Sequence, residues 1–532
     1  MLRHRSCLPL VIAAACLAVA AGWLRQDLRQ LALLRNTLLL AAGTCAISLP
    51  LGTVLAFLLG RTDVPGRRLI LALTGGMLMM PLYLHAAAWD AGFGQLGWWS
   101  LIRGPSAVPL LSGWTAAVWI HAVASVPWVA LLVGAALAGV EPELEEDALL
   151  AGSAWQVFRH VTLPRMIGGV GVAAGWVVLS TCGEMTVTDL FLVRTYAEEL
   201  YTGFALGDSL ASAWRAAVPG ILVQAALLLV AIAITLRAAP GLFTPMRPAR
   251  IYRLRRTRLP AAVATWGCGL LVAGVPLANL AAKAGLVVQQ AGDVRLRQWS
   301  LGHAWAMIAS SLSGFQQEFV WTLLIGGLAA TGASLAAAGL AWWARRSDWR
   351  AVPALAGAAC GLALPGPLVG LGIIWIMDRS EPAILVWLYD RTLSAPVLAV
   401  VVRILPLATL GCWYVLRSVA DDALDCAACE GAGAWSRFWH VAWPQRRSGL
   451  AAVWLAVFAI AAGDLASSIL VAPPGVTTVP IRVFGLIHAG VDDQVAGVCL
   501  VMCGGVAAAV AAVAWLLGRH QATVAEDQRP SA

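Results

Sequence analysis

The residues of this chain that could do chemistry are few and scattered. Cys426 and Cys429 form a CxxC, a spacing that can supply half of a metal site or a redox pair. A structural zinc site needs a second such pair or two histidines. None accompanies this one, so no metal site is expected. His121, His303, His440 and His488 have no nucleophile at a recognisable spacing, so no catalytic residue is expected either. A phosphate-binding loop needs a lysine after a glycine-rich turn. The only lysine, Lys283, sits in "NLAAKAGLV", an apolar run without such a turn. The chain is therefore expected not to hydrolyse ATP. What remains are acids in apolar surroundings, Glu184 in "STCGEMT" and Asp464 in "AAGDLAS". Acids there are costly and mark gates or ion paths. The competing reading is an interfacial acid held by local hydrogen bonds. Asp90 has no acidic counterpart and is read that way.

The elements that position these residues are apolar. The chain of 532 residues is 60% hydrophobic and 12% charged, with mean hydropathy +0.79. A soluble domain carries about 25% charged residues, and a spanning helix needs about 20 apolar ones. The expected fold is an all-α polytopic membrane protein with about twelve transmembrane helices. The spans are placed at about 8–23, 36–59, 69–90, 114–138, 167–188, 217–236, 261–286, 319–343, 352–377, 393–416, 449–471 and 495–517. The stretch 8–23 is read as a retained span rather than a signal peptide. Most cysteines fall inside these runs, where a thiol acts as a small hydrophobe.

The net charge of +8 comes almost wholly from arginines in short loops. That pattern fits the positive-inside rule rather than nucleic-acid binding. It puts both termini in the cytoplasm, together with 61–68, 141–165, 237–260, 345–350 and 417–447. Arg25, Arg29 and Arg35 would then fall outside, which the rule disfavours. The basic stretch 237–260 lies at the midpoint of the chain. The expected organisation is an N-terminal span and linker (1–30), a first domain (31–240), a basic cytoplasmic linker (241–260), a second domain (261–518) and a tail (519–532).

The two halves repeat. "AWQVFRHVTLP" at 154–164 returns as "AWSRFWHVAWP" at 434–444, 280 residues later. Pro127 parallels Pro406, and Gly183-Glu184 parallels Gly463-Asp464. Pro164 to Glu184 and Pro444 to Asp464 are both 20 residues. Each half has an even number of spans, so two six-helix halves in the same orientation are expected, a parallel repeat.

Each quoted segment ends a longer loop, "ELEEDALLAGSAWQVFRHVTLP" at 143–164 and "ALDCAACEGAGAWSRFWHVAWP" at 423–444. Acids lead, small residues follow, then a glycine, an aromatic pair and a proline. Acids suit a helix N-terminus, the glycine permits a sharp turn, and the proline is expected to stop the helix. A short helix of this kind on one membrane face suits docking into a partner's groove. The plainer alternative is an interfacial helix anchored by Trp155 and Trp435.

At these residues the chain resembles the integral membrane permeases of ATP-binding cassette (ABC) importers, whose signature is Glu-Ala-Ala, three residues, Gly, and a spacer ending in Leu-Pro. Glu146, Ala148, Gly152, Leu163 and Pro164 match it in the first half, with Asp147 in place of an alanine. Asp425, Ala427, Gly431 and Pro444 match it in the second, with Cys426 for alanine and Trp443 for leucine. The resemblance covers nearly the whole chain and is closest to iron(III)-type permeases that fuse both halves. It implies the type I importer permease fold, a bacterial inner-membrane location, and coupling of these residues to two copies of a separate ATPase subunit. It also implies an extracytoplasmic substrate-binding protein. No cofactor is implied in this chain, since ATP and magnesium belong to the ATPase. The cargo implied is iron(III) or a related small charged solute. Rival readings are a secondary transporter, which would want a proton relay at the midplane, and a membrane-embedded enzyme.

Overall fold

In the computed structural model, residues 7–24, 27–103, 108–207, 209–238, 250–291, 294–345, 364–378 and 383–527 are described, with isolated positions between 350 and 361. The chain is a polytopic helical membrane protein. Among the described residues eight helices are long and apolar enough to cross a membrane: 28–61, 113–138, 155–182, 210–235, 255–284, 316–344, 394–417 and 494–520. Each of the twelve expected spans contains helix, yet four are not among these eight, one of them 449–471, where the helix Trp443–Ala461 ends ten residues short of the expected boundary. Pro9–Leu24 and Gly366–Met377 are shorter apolar helices, and much of 352–363 lies outside the described residues. The expected span 69–90 is broken: Arg67–Leu78 and Leu82–Arg103 meet at 108° and together make at most a ninth span. Pro81 caps the second piece in an extended conformation. Its ring disfavours helix at Met80, and it has no N–H to continue the ladder.

One β-hairpin, Leu286–Ala291 paired antiparallel with Val294–Trp299, was not expected from hydropathy. Its signal was present as β-branched residues flanking Gly292-Asp293.

The chain groups into two compact units, Met1–Gly314 with 363–365 and 483–501, and Phe315–Leu362 with 366–482 and 502–532. In the first unit, helix α1 (Leu28–Arg61) packs on α2 (Gly113–Ala138), a short helix α3 (Pro142–Ala151) follows, and α4 (Leu163–Cys182) packs back on α1 and α2. Leu40, Leu55, Ile120, Val123 and Val126 fill one part of the core, and Val129, Val133, Leu137, Met166 and Val177 another. Small residues bring the backbones close, as helix packing in lipid requires. A Cβ on Gly52 would lie 2.5 Å from Cβ of Val129.

The second unit repeats this plan with α5 (Gln316–Ala344), α6 (Ser394–Arg417), α7 (Asp421–Cys429) and α8 (Trp443–Ala461). Here an alanine stripe, Ala330, Ala333, Ala337 and Ala341, forms the close-packed seam with Ile404, Ala408 and Cys412. Two buried threonines mark the equivalence. Thr37 accepts the Tyr196 amide at 3.0 Å, and Thr322 accepts the Val479 amide at 2.8 Å.

Of the arginines that fell on the disfavoured side, Arg29 pairs with Glu199. Arg25 lies outside the described residues.

Candidate functional site

The two signature loops share one construction. In the first, α3 turns Glu145 and Ala148 toward the protein and leaves Glu146 and Asp147 exposed. The second divides the same way, with Leu424 buried, Ala427 half-buried, and Asp425 and Cys426 exposed. The acid of each signature thus sits on the outer face. The alanine two residues on faces in, where a larger side chain would lift the helix away.

Each loop then re-enters its span through a π-helical turn, Phe158–Thr162 and Phe438–Ala442. The Leu163 amide bonds the Phe158 carbonyl, and the Trp443 amide bonds the Phe438 carbonyl. This corrects the expectation that Pro164 and Pro444 stop the helix. A proline four residues on would leave the carbonyl of His160 or His440 unpaired and press its ring on it. The wider π turn falls immediately before each proline, a local break in the regular ladder that lets the helix continue through it. The proline then sits in the first turn of α4 or α8, where its missing N–H costs nothing.

An aromatic stack ties each loop to its unit. Phe158 meets Phe57 of α1 edge-on at 5.2 Å and stacks on Trp155 at 5.5 Å. Phe438 meets Trp342 of α5 edge-on at 5.4 Å and stacks on Trp435 at 5.4 Å. The outer member of each stack is largely exposed, Trp155 by 67% and Trp435 by 62%.

Two arginines lock the loops from within. Arg61, in the last turn of α1, is fully buried. It donates to Glu145 at 2.9 Å and to the Leu137 carbonyl at the end of α2. Thr162 donates to the other Glu145 oxygen at 2.7 Å. A buried charge must be paired and hydrogen-bonded, and this pair ties α1, α2, α3 and the π turn together. Arg345, at the end of α5, donates to the carbonyls of Leu416 and Val419 at 2.8 and 2.7 Å and to Asp421 at 2.9 Å. Arg446 adds a bond to the Ser418 carbonyl at 2.8 Å. Hydropathy reads Arg61 and Arg345 only as orientation markers. Their matching places, each following the second expected span of its half, were the signal that could have found them.

The signature glycines differ. Gly152 is extended (φ −157°), and the Ser153 amide donates to Gln156 Oε1 at 2.8 Å. Gly431 is left-handed (φ +83°), and the Ala432 amide reaches back to the Ala427 carbonyl at 2.9 Å. The second loop's extra residue is absorbed in this turn, so only Gly431 needs glycine for its conformation.

Glu184 and Asp464 lie just past the ends of α4 and α8. The Glu184 carboxylate accepts the amides of Thr186 and Val187 at 2.6 and 3.0 Å and stands 3.4 Å from Nε2 of His121. Asp464 accepts the Ser467 hydroxyl at 2.5 Å. Both acids close the turn that follows their helix. Cys426 and Cys429 are free and exposed on α7. Among the described residues, no three His, Cys, Asp or Glu side chains group as a metal site would need.

No family model matches the chain. It is 28% identical over 163 residues to the molybdenum transport system permease protein ModB of Escherichia coli (strain K12), covering 29% of this chain and 71% of that protein. It is 29% identical over 173 residues to the protein of the same name from Haemophilus influenzae, covering 30% of this chain and 72% of that one. Over somewhat less than a third of its length, the chain is thus similar to permease proteins of bacterial molybdenum transport systems.

Proposed function

We propose that this chain is the permease subunit of an ATP-driven, binding-protein-dependent ABC importer of the bacterial inner membrane. The observation that carries the reading is the signature loop built twice on one plan, each copy with an outward acid, an exposed tryptophan and an arginine lock to the first long helix of its unit. The similarity to transport-system permeases supports it. In this reading Glu146, Ala148, Gly152, Leu163 and Pro164 form one coupling loop, and Asp425, Ala427, Gly431 and Pro444 the other. Each receives one copy of a separate ATPase that carries ATP and magnesium, and an extracytoplasmic binding protein delivers the cargo. ATP binding closes the ATPase pair and moves the coupling helices, which swing the spans between the two access states. Glu184 and Asp464, at the turns ending α4 and α8, would act in gating rather than in cargo binding.

For the cargo we propose molybdenum, carried as a small oxyanion such as molybdate, because the relatives are named for molybdenum transport. Iron(III) is the alternative that the fused two-half architecture suggests.

The test is co-purification from native membranes of the tagged wild type and of Trp155→Ser/Trp435→Ser, which removes the largely exposed outer ring of each stack. An ATPase subunit retained by the wild type and lost from the variant is expected. No ATPase with well-folded wild type would overturn the reading and favour a gradient-driven transporter. Vesicle uptake with candidate binding proteins then separates molybdate from iron(III).

A further inference from the structure

The first coupling loop carries an attachment from a distant part of the sequence. Residues 250–254, at the end of the basic linker, lie along the junction of α1 with the chain that follows it. Tyr252 forms a parallel bridge with Thr62, its amide donating to the Arg61 carbonyl at 2.7 Å. The Leu254 amide donates to Asp63 Oδ1 at 2.9 Å, and Trp266 Nε1 donates to the Pro65 carbonyl at 3.1 Å. The Tyr252 ring stacks on Phe57 at 6.4 Å, extending the stack through Phe158 to Trp155. Burial, with the Glu145 carboxylate close by, pushes the Tyr252 hydroxyl above its ordinary value. The segment therefore touches the arginine lock from its backbone side and from its aromatic side.

These anchors fix where the preceding residue falls. Arg250 Nη1 stands 3.7 Å from Glu146 Oε1. Glu146 is the outward acid of the first signature, and it is 65% exposed. Among the described residues, the Thr62–Tyr252 bridge is the only isolated β-bridge.

We propose that residues 250–254 form a strap that masks the first coupling helix, with Arg250 competing with the ATPase for Glu146. The inference rests on the docking reading above. The first loop then engages the ATPase fully only when Arg250 gives way. The strap lies outside the signature, so the linker can tune docking without altering a coupling residue.

Two measurements test it. Hydrogen exchange on the full chain alone, in detergent micelles, reads the anchors. Slow exchange at the Tyr252 and Leu254 amides is expected, and exchange as fast as in an unstructured peptide would overturn the strap. The second measurement is the affinity for the ATPase subunit that co-purifies with the wild type. A contact between exposed charges is worth little, so Arg250→Ala should tighten binding about 2- to 5-fold. In a Glu146→Gln background the same substitution should change nothing. Unchanged or weaker binding by Arg250→Ala, or an equal gain in both backgrounds, overturns the masking role alone. No ATPase bound by wild type and Arg250→Ala alike overturns the docking reading and the masking role with it.

Discussion

The arginine locks make the signature loops extensions of their units rather than free loops. Arg61 and Glu145 are both fully buried. Removing one member of such a pair leaves an uncompensated charge and costs about 3–5 kcal/mol, whereas replacing both with apolar residues is often near neutral. Arg61→Ala is therefore expected to lower the unfolding midpoint of the purified protein strongly. Arg61→Met/Glu145→Leu should recover most of the loss, since Leu424 already fills the corresponding buried place in the second loop. A double variant no better than Arg61→Ala would show that the bonds to Leu137 and Thr162, not the charge pair, carry the lock. The glycines make a second prediction. Gly431→Ala places a Cβ on a left-handed residue (φ +83°) and should cost about 1 kcal/mol or more. Gly152→Ala, at φ −157°, needs no left-handed backbone, meets the Gln156 amide that caps Ser153 and should cost less, about 0.5 kcal/mol. Thermal unfolding of the two variants side by side decides it.

At the scale of elements, the π turn and the aromatic stack set the angle at which each loop leaves its span. Phe57 stands between Phe158 and Tyr252. Phe57→Ala should destabilise the first unit by about 3 kcal/mol, from lost burial and ring contacts. It should also loosen the loop, visible as faster exchange across 154–162. If exchange there is unchanged, the π turn holds the loop without the stack. Helix contacts in the first unit depend on small residues. Gly52→Val pushes directly on Val129 and is expected to separate α1 from α2, with poor recovery of folded protein from membranes. A normal yield would mean that α1 can shift without loss.

At the scale of the molecule, the two units share a plan but not a surface. The first loop carries the linker and a buried acid. The second carries Trp435, Trp439 and Trp443 as a contacting aromatic run and the exposed Cys426 and Cys429. A partner with two identical docking sites would meet two different faces, so Trp155→Ser and Trp435→Ser are expected to weaken ATPase retention unequally, the second more. Equal losses would indicate that the shared framework, not the surface, sets affinity.

The sequence by itself determined the polytopic helical character, the positions of most of the spans, the internal repeat and the two signature loops. These follow from local composition and spacing, and apolar length and the order of Gly, Trp, Phe and Pro survive in one dimension. It also showed which acids stand at the ends of α4 and α8. It did not show the bend at Pro81, where 69–90 reads as one span, because whether a proline kinks or divides a span depends on what packs against it. The π turns were hidden because a proline reads as a stop unless the register can slip. The roles of Arg61, Glu145 and Tyr252 were decided only by tertiary structure. Arg61 and Glu145 are 84 residues apart, and Leu254 meets Asp63 across 191. A charge reads as solvent-facing until the fold surrounds it. The difference between Gly152 and Gly431 is likewise a matter of φ, set by one extra residue in the turn.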